Sequence, residues 1–332
     1  MLITGNGLSL SLLNRHAVEG VDLSNLFSRG SDVSWPADDT PGFLSFEHCP
    51  NLWALGARPH VDRDFGYQVI EKVITAVNAC CMADQKSLQP GIYIKAYKEL
   101  VAYLRYLFVH YDNLLQGGTF LDSAIEAEVF GWLQGLDTKV EIESVDVVTF
   151  NYDVIFERCL QKLGFDFDIP RLDDSGKKIK LYKPHGSISF CSKAVAEKSA
   201  FSIRYDTQFA EGGLADLGVR YGALDLNYPI VGILPPAGES DRYQHRWIRE
   251  IWDSARRAVD QIEAGDLVVL YGLSYWHVDR RELDSLLAKV DRGAKVISIN
   301  PYPNEHFDAV CCSLFSHYQS YSDARHLARI LS

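Results

Sequence analysis

The stretch Val147–Glu157 reads VVTFNYDVIFE and passes from one structural pattern to another at Asn151. The residues before Asn151 are apolar or β-branched, which is typical of a buried strand, and a helical pattern begins directly after it. A short polar residue at this point is a competent N-cap for the helix. An amide at the end of a strand is also a candidate site residue, so both interpretations of Asn151 stay open at this step.

The same alternation continues to the end of the chain. After the helix that follows Asn151, the pattern predicts strand, turn and strand over KIKLYKPHGSISF, a buried strand over YPIVGILPP, and an amphipathic helix that Gly265 closes. It then predicts a strand over DLVVLYG, a helix, a strand over AKVISINP and a last helix near SDARHLARIL. Short, wholly apolar strands that alternate with helices indicate a parallel sheet covered on both faces. The predicted fold class is therefore α/β with a doubly wound parallel sheet.

A helical block separates this region from the start of the chain. MLIT predicts a very short first strand, and GNGLS and a helical pattern up to Leu13 follow it. Apolar residues recur at helical spacing between about Phe65 and Leu136, in three stretches separated by KSLQPG and LLQGG. We therefore predict a single domain over residues 1–332, with a helical insertion over residues 36–145.

Composition and charge restrict the class of function. The net charge of −11 and the pI near 5.4 disfavour direct binding to nucleic-acid backbones or anionic lipid. The seven cysteines contain no C-x-x-C pair, so the sequence predicts neither a disulfide framework nor a zinc site. The most apolar long window, Val101–Leu115, is interrupted by charged residues, and MLITGNG lacks a basic n-region. These features predict a cytoplasmic protein with no membrane span and no metal.

Glycine and polar residues concentrate directly after the predicted strands. GNGLS follows the first strand, NYD follows the strand that ends at Phe150, HGS follows the strand through Pro184, and YGLS and NP follow two later strands. Each fragment has a structural explanation of its own, such as a tight connection, a helix cap, a turn histidine or a turn opening. Ligands of open parallel sheets bind at the carboxyl ends of the strands, so five such fragments together predict a ligand site.

The order of these fragments resembles the sirtuin-like NAD-binding family. G-x-G-x-S, N-Y-D, K-x-H-G-S, G-x-S and N-P follow successive strands, and TFNYD with KPHGSI carries most of the resemblance. The likeness covers residues 1–16 and about 146–315. It is closer to the bacterial sirtuin-like NAD hydrolases of antiphage defence than to the protein deacylases. It implies a Rossmann-type fold, NAD as the substrate, and cleavage to nicotinamide and ADP-ribose.

The resemblance also implies a role for each motif residue. Asn151 would bind the ribose hydroxyls or the attacking water in addition to capping its helix. His185 would be the general base or a ribose partner, since histidine titrates near neutral pH. Asp153 would support the nicotinamide end or cap its helix. The other predicted cofactor-binding residues are Gly5, Gly7 and Ser9 at the pyrophosphate, Asn6 in the same loop, and Gly272, Ser274 and Asn300 on the adenosine side.

Two departures separate the chain from the deacylating members of that family. Those members carry a four-cysteine zinc module, which has no counterpart here, and a Pro-Asp-Phe-Arg segment that closes over nicotinamide. LSLLNRHAVEG stands in that place, so the role of Arg15 is left open. We predict an NAD glycohydrolase that depletes NAD in antiphage defence. We also predict control by a homo-oligomer, or by a complex with a separate sensor protein, through the helical insertion. The alternatives are a sensor that binds NAD or ADP-ribose without turnover, and an NAD-dependent deacylase.

Overall fold

A computed structural model of the chain describes residues 1–14, 18–82, 91–126, 131–138, 141–205, 213–234 and 246–331. Contacts group the chain into two compact units. The first unit comprises Met1–Val18, Leu115–Pro184 and Ile248–Ser332, and the second comprises Glu19–Leu114 and His185–Trp247. The predicted helical insertion is therefore shared between the units, and the prediction of a single domain over residues 1–332 stays a prediction.

The strands and helices of the described residues follow one another in a mixed order. The strands are β1 (Leu2–Thr4), β2 (Val145–Thr149), β3 (Phe167–Asp168), β4 (Ile179–Tyr182), β5 (Gly186–Ser192), β6 (Leu217–Val219), β7 (Val231–Ile233), β8 (Leu267–Tyr271), β9 (Lys295–Ile299) and β10 (His317–Tyr321). The helices are α1 (Asn6–Asn14), α2 (Pro50–Ala54), α3 (Arg63–Met82), α4 (Ile92–Gln116), α5 (Phe120–Glu126), α6 (Gly131–Thr138), α7 (Ile155–Lys162), α8 (Arg246–Val259), α9 (His277–Leu287), α10 (Glu305–Leu314) and α11 (Arg325–Leu331). None of the described helices is long and apolar enough to cross a lipid bilayer.

A seven-stranded parallel sheet lies at the centre of the first unit, in the order β10-β9-β8-β1-β2-β4-β3. Leu2 of β1 is in register with Val147 of β2 on one side and with Val269 of β8 on the other. The inner strands are almost wholly buried, in keeping with their predominantly apolar sequences, as expected when helices flank a sheet. The predicted α/β fold with a parallel sheet is confirmed.

The strand order reverses between β1 and β8. The chain builds β2, β4 and β3 on one side of β1 and then returns to build β8, β9 and β10 on the other side. Such a reversal creates a crevice at the carboxyl ends of the two strands, where open α/β sheets bind ligands. The loops that follow β1 and β8 begin with Gly5 and Gly272, so both predicted glycine motifs lie at this switch point.

The second unit contains an antiparallel sheet of three strands in the order β6-β5-β7. The sequence correctly predicts strands at β5 and β7, but their expected membership of the parallel sheet is wrong. Gly186 has a φ of +80°, and a Cβ at this position would overlap the carbonyl oxygen of Gly232 on β7. This left-handed turn aligns β5 against β7 in an antiparallel pair, whereas apolar patterning alone cannot distinguish the two kinds of sheet.

The predicted helical block contains two long helices and several short ones. α3 and α4 correspond to the first two amphipathic stretches, and the described residues of the third lie in α5 and α6. Four aromatic and aliphatic side chains of the predicted stripes, Tyr97, Leu104, Phe108 and Trp132, are all buried. They therefore pack inside the chain rather than on its surface.

Three strands of the structure, β3, β6 and β10, have no counterpart among the predicted ones. β3 has two residues and β6 has three, which is too short for a pattern to emerge. β10 reads HYQSY, and its residues are half-buried or exposed because it forms the edge of the parallel sheet. A polar edge strand has no continuous apolar run to reveal it.

Candidate functional site

The loops after β1 and β8 pack directly against each other at the switch point. The amide of Gly5 donates to the carbonyl oxygen of Tyr271 at 3.1 Å, and the amide of Gly7 donates to that of Gly272 at 3.0 Å. A Cβ on Gly7 would lie 2.5 Å from the Cα of Gly272, and Gly272 itself has a φ of +62°. Loop packing therefore requires both glycines, independently of any ligand.

The other predicted residues of these two loops lie nearer the solvent. Asn6 and Ser274 are exposed, and Gly7 is half-buried. Asn6 is the first residue of α1, whose first turn contains no acidic side chain. The positive end of the helix dipole is therefore not neutralised by a carboxylate of its own turn, which suits an anionic group at this position.

Three buried polar side chains connect the loop after β2 to α1. The Nδ2 of Asn151 donates to the Oγ of Ser9 at 3.0 Å. The hydroxyl of Ser9 in turn donates to the carboxylate of Asp153, with distances of 3.0 Å and 3.2 Å to its two oxygens. We call Ser9, Asn151 and Asp153 the polar triad. It joins two predicted motifs, G-x-G-x-S and N-Y-D, into one hydrogen-bonded group.

The structure corrects the predicted capping role of Asn151. α7 begins at Ile155 and its N-cap position is Val154, so Asn151 lies outside the helix. The carboxylate of Asp153 accepts the backbone N–H of Ile155 at 3.0 Å and so satisfies a donor of the first turn. Of its two predicted roles, Asp153 therefore takes that of bonding the start of the helix, and Asn151 does not cap it, because the helix starts later than the apolar pattern suggests.

The Asn151 side chain is held on one side only. Its Nδ2 group has one bond, to Ser9, and no described residue donates to its Oδ1. The residue is 9% exposed. An amide with an unoccupied acceptor and a second N–H can accept a hydrogen bond from a hydroxyl or a water and donate one in return.

The triad also changes the expected role of Ser9. A hydroxyl has one proton to donate, and that of Ser9 goes to Asp153 while its oxygen accepts from Asn151. The predicted contact of Ser9 with a pyrophosphate stays a prediction. The observed bonds instead make Ser9 a residue that orients Asn151.

A buried ion pair, which the sequence did not predict, is bonded to the backbone of Asp153 in the triad. The Nζ of Lys183 donates to the backbone oxygen of Asp153 at 2.6 Å and to Glu157 at 2.5 Å, and both side chains are fully buried. Burial raises the pKa of Glu157 above its ordinary value, and the ammonium of Lys183 opposes that rise. The signal was present, since Lys183 is the first residue of K-x-H-G-S and Glu157 lies one turn beyond N-Y-D.

His185 is the first residue of the later segment of the second unit, His185–Trp247, and is 2% exposed. Its backbone oxygen accepts the N–H of Leu234 at 2.9 Å, next to the sharp turn at Gly186. Asn151 belongs to the first unit, so the predicted joint action of Asn151 and His185 stays a prediction.

Asn300 follows β9 and joins two strand-end loops. Its Nδ2 donates to the backbone oxygen of Leu273 at 2.9 Å, and its Oδ1 accepts the N–H of Tyr302 at 3.1 Å. The second bond is the turn that an Asn-Pro sequence favours. One amide hydrogen remains for a ligand, so the predicted contact with an adenosine ribose stays a prediction. Arg15 lies outside the described residues.

Comparison of the chain with models of known protein families finds no match, and comparison with curated proteins finds none either.

Proposed function

We propose that the chain is an NAD glycohydrolase that cleaves NAD to nicotinamide and ADP-ribose. The observation that supports this most is the Asn151 amide. It stands after β2, the neighbour of β1, and Ser9 holds its nitrogen while its oxygen accepts no hydrogen bond from a described residue. Such an amide is suited to hold a ribose hydroxyl or a water.

The chemistry of NAD makes modest demands on a site. The nicotinamide carries a positive charge and leaves without a proton, and the sugar passes through an oxocarbenium-like state. The protein must hold the pyrophosphate, fix the ribose and direct one water to C1′. None of these tasks requires a metal, and we propose that none is used.

The first unit offers a group for each of two tasks. The amides of Gly5 and Gly7 are used between the two loops, so we assign the pyrophosphate to the N-terminus of α1 at Asn6. Asn151 would fix the ribose or the water. Asp153 and Ser9 keep the Asn151 amide in one orientation, and Lys183 restrains the backbone of Asp153.

The remaining assignments rest on the motif order alone. His185 is proposed as the general base, and Gly272, Ser274 and Asn300 as neighbours of the adenosine. The sirtuin-like identity of the fold rests on the same motifs. So does the proposal that NAD depletion serves antiphage defence, in an oligomer or in a complex with a separate sensor.

A second candidate function is binding of NAD or ADP-ribose without turnover. The observation that favours it is that the Ser9 hydroxyl is already engaged within the fold, because it donates to Asp153 and accepts from Asn151. Deacylation is the weakest alternative, because the sequence lacks the paired cysteines of a zinc module.

One experiment separates these functions. Purified protein is mixed with NAD, and free nicotinamide and ADP-ribose are followed with time. Equal release of both products supports hydrolysis. Binding of NAD in a calorimetric titration without either product supports the sensor, and nicotinamide release only with an acylated peptide supports the deacylase.

A further inference from the structure

The second unit contains a cavity of about 280 Å³ that the predicted NAD site does not explain. It lies among α4, the segment 196–204 and the segment 227–234. Pockets that hold small organic ligands have volumes of about 300–1,000 Å³, so this cavity suits a molecule at the small end of that range.

The lining of the cavity combines aromatic rings with positive charge. The aromatic members are Tyr97, Tyr106, Phe201, Tyr228 and Trp247. The charged members are Lys98, Arg105 and Arg204, and no described residue of the lining is acidic. This lining is therefore cationic in a protein whose net charge is −11.

Arg105 is the buried charge of this lining, with 3% of its surface exposed. Its Nη1 donates to the hydroxyl of Tyr106 at 2.9 Å, and its Nη2 donates to the backbone oxygens of Leu224 at 3.2 Å and Leu226 at 2.9 Å. The guanidinium also lies over the rings of Tyr106 and Tyr228, with distances of 4.6 Å and 5.4 Å to the centroids. All of these partners are neutral.

The guanidinium keeps one unused donor. Its Nε–H has no hydrogen-bond partner among the described residues, although the thiol of Cys191 also lies beside the guanidinium and interacts with it. Arg105 forms no ion pair with any carboxylate in the described part of the chain. A buried charge is ordinarily paired, and a buried donor is ordinarily bonded. Arg105 departs from both rules, because its charge has no carboxylate partner and its Nε–H has no acceptor among the described residues, and it lies in the wall of a cavity.

We propose that this cavity binds a small organic anion. Its carboxylate or phosphate group would accept from Arg105, because a guanidinium is the side chain best suited to both groups. Its planar or apolar body would lie among Phe201, Tyr228 and Trp247. The inference does not depend on NAD cleavage, because every residue that carries it belongs to the second unit.

Calorimetric titration with four probes tests the proposal on the full chain. Benzoate and phenyl phosphate carry the two possible head groups, inorganic phosphate lacks the apolar body, and benzamide is the neutral counterpart of benzoate. We expect benzoate or phenyl phosphate to bind at millimolar concentration or below, and the tighter of the two identifies the head group. Benzamide and inorganic phosphate should each bind about tenfold more weakly or worse.

Two variants locate the binding. Arg105→Met removes the charge at similar volume and should lower the affinity by about tenfold or more. Ala102→Phe fills the cavity from α4 without altering Arg105 and should abolish binding. Arg63→Met is the matched control, because Arg63 is an exposed arginine of the same unit outside the cavity.

The variants also separate a ligand site from a purely structural arginine. Circular dichroism melting would show whether Arg105→Met unfolds the unit. If it does, Ala102→Phe still tests whether the ligand binds in the cavity, because this variant leaves Arg105 in place. The proposal is overturned if neither benzoate nor phenyl phosphate binds to the wild type. It is overturned equally if benzamide binds as tightly as benzoate, or if Ala102→Phe leaves the affinity unchanged.

Discussion

The Nδ2 of Asn151 donates to the Oγ of Ser9 at 3.0 Å, across a separation of 142 residues in the chain. This bond joins the loop after β2 to α1, the helix that follows β1. The strands β1 and β2 are neighbours in the parallel sheet. The bond fixes the nitrogen end of the amide and so leaves the oxygen end in a defined direction. The proposed role of Asn151 depends on that orientation, and each part of it can be tested separately.

Asn151→Ala should lower NAD turnover by about 100-fold or more, the size of effect typical when one preorganised polar group is removed from a reacting centre. The melting temperature should change little, because the amide has only one side-chain bond in the fold. Release of nicotinamide at saturating NAD measures the effect. Asn304→Ala is the control, since it removes the N-cap of α10 and costs stability without touching the triad. Equal loss of activity in both variants would contradict the assignment.

Ser9→Ala distinguishes two roles for its hydroxyl. If Ser9 orients Asn151, as its bonds indicate, kcat should fall by about tenfold or more while the KM for NAD stays nearly constant. If Ser9 instead binds the pyrophosphate, as the motif predicts, the KM should rise at a nearly constant kcat. Steady-state kinetics of the purified variant decides between them. Ser313→Ala, which removes an exposed hydroxyl of α10, should change neither constant.

Gly7→Ala should separate the two loops at the switch point. The added Cβ would lie 2.5 Å from the Cα of Gly272, and backbone atoms cannot move aside as a flexible side chain can. We expect a loss of about 1–3 kcal/mol in the free energy of unfolding, together with weaker NAD binding. Gly131→Ala is the matched control, because a Cβ there meets nothing within 4 Å on an exposed helical position. If urea unfolding showed Gly131→Ala to be less stable than Gly7→Ala, the predicted steric clash at Gly272 would be refuted.

Lys183→Met should strongly destabilise the first unit, because it leaves the Glu157 carboxylate buried without its cation. Breaking a buried ion pair in this way costs about 3–5 kcal/mol. The further change Glu157→Gln removes the remaining charge and should recover part of that loss. Chemical unfolding of the single and double variants measures both effects, and a double variant less stable than Lys183→Met would contradict the pairing.

The loss in Lys183→Met should grow with pH. Burial already raises the pKa of Glu157 in the folded protein, and removal of Lys183 raises it further because the opposing charge is gone. A carboxyl whose folded pKa is raised contributes its stability while protonated, and it loses that contribution as pH rises from its ordinary value through its folded value. Unfolding at about pH 5 and about pH 8 should therefore show the larger deficit at the higher pH. A deficit that shrinks with pH would be inconsistent with this sign.

Assembly should control the proposed activity. The predicted stripe residues of the helical block are buried, so an interface on this block would use its exposed apolar side chains, Phe46, Phe65 and Ile92. Light scattering and NAD turnover measured across a dilution series should change together. Phe46→Ser should shift the change in molecular mass and the change in NAD turnover to higher protein concentration. A monomer with constant specific activity at every concentration would rule out this form of control.

The sequence by itself determined the local elements and the class of the fold. Short, predominantly apolar runs indicated β2, β8 and β9, because such runs are typical of strands that are buried on both faces. The same pattern placed Asn151, Gly272 and Asn300 at strand ends, where the structure has them. The pattern of apolar and polar residues can be recognised within a few residues of the chain, and the positions of these strands and of the residues at their ends depend only on that local pattern.

Tertiary structure alone decided which of these residues meet. The contact of Gly7 with Gly272, the bond of Asn151 to Ser9 and the ion pair of Lys183 with Glu157 each join parts of the chain that are distant in sequence. The direction of β5 likewise depended on the left-handed turn at Gly186. Hydrogen bonds and steric contacts act over a few ångströms of space, so a pattern along the chain carries no record of partners that only folding brings together.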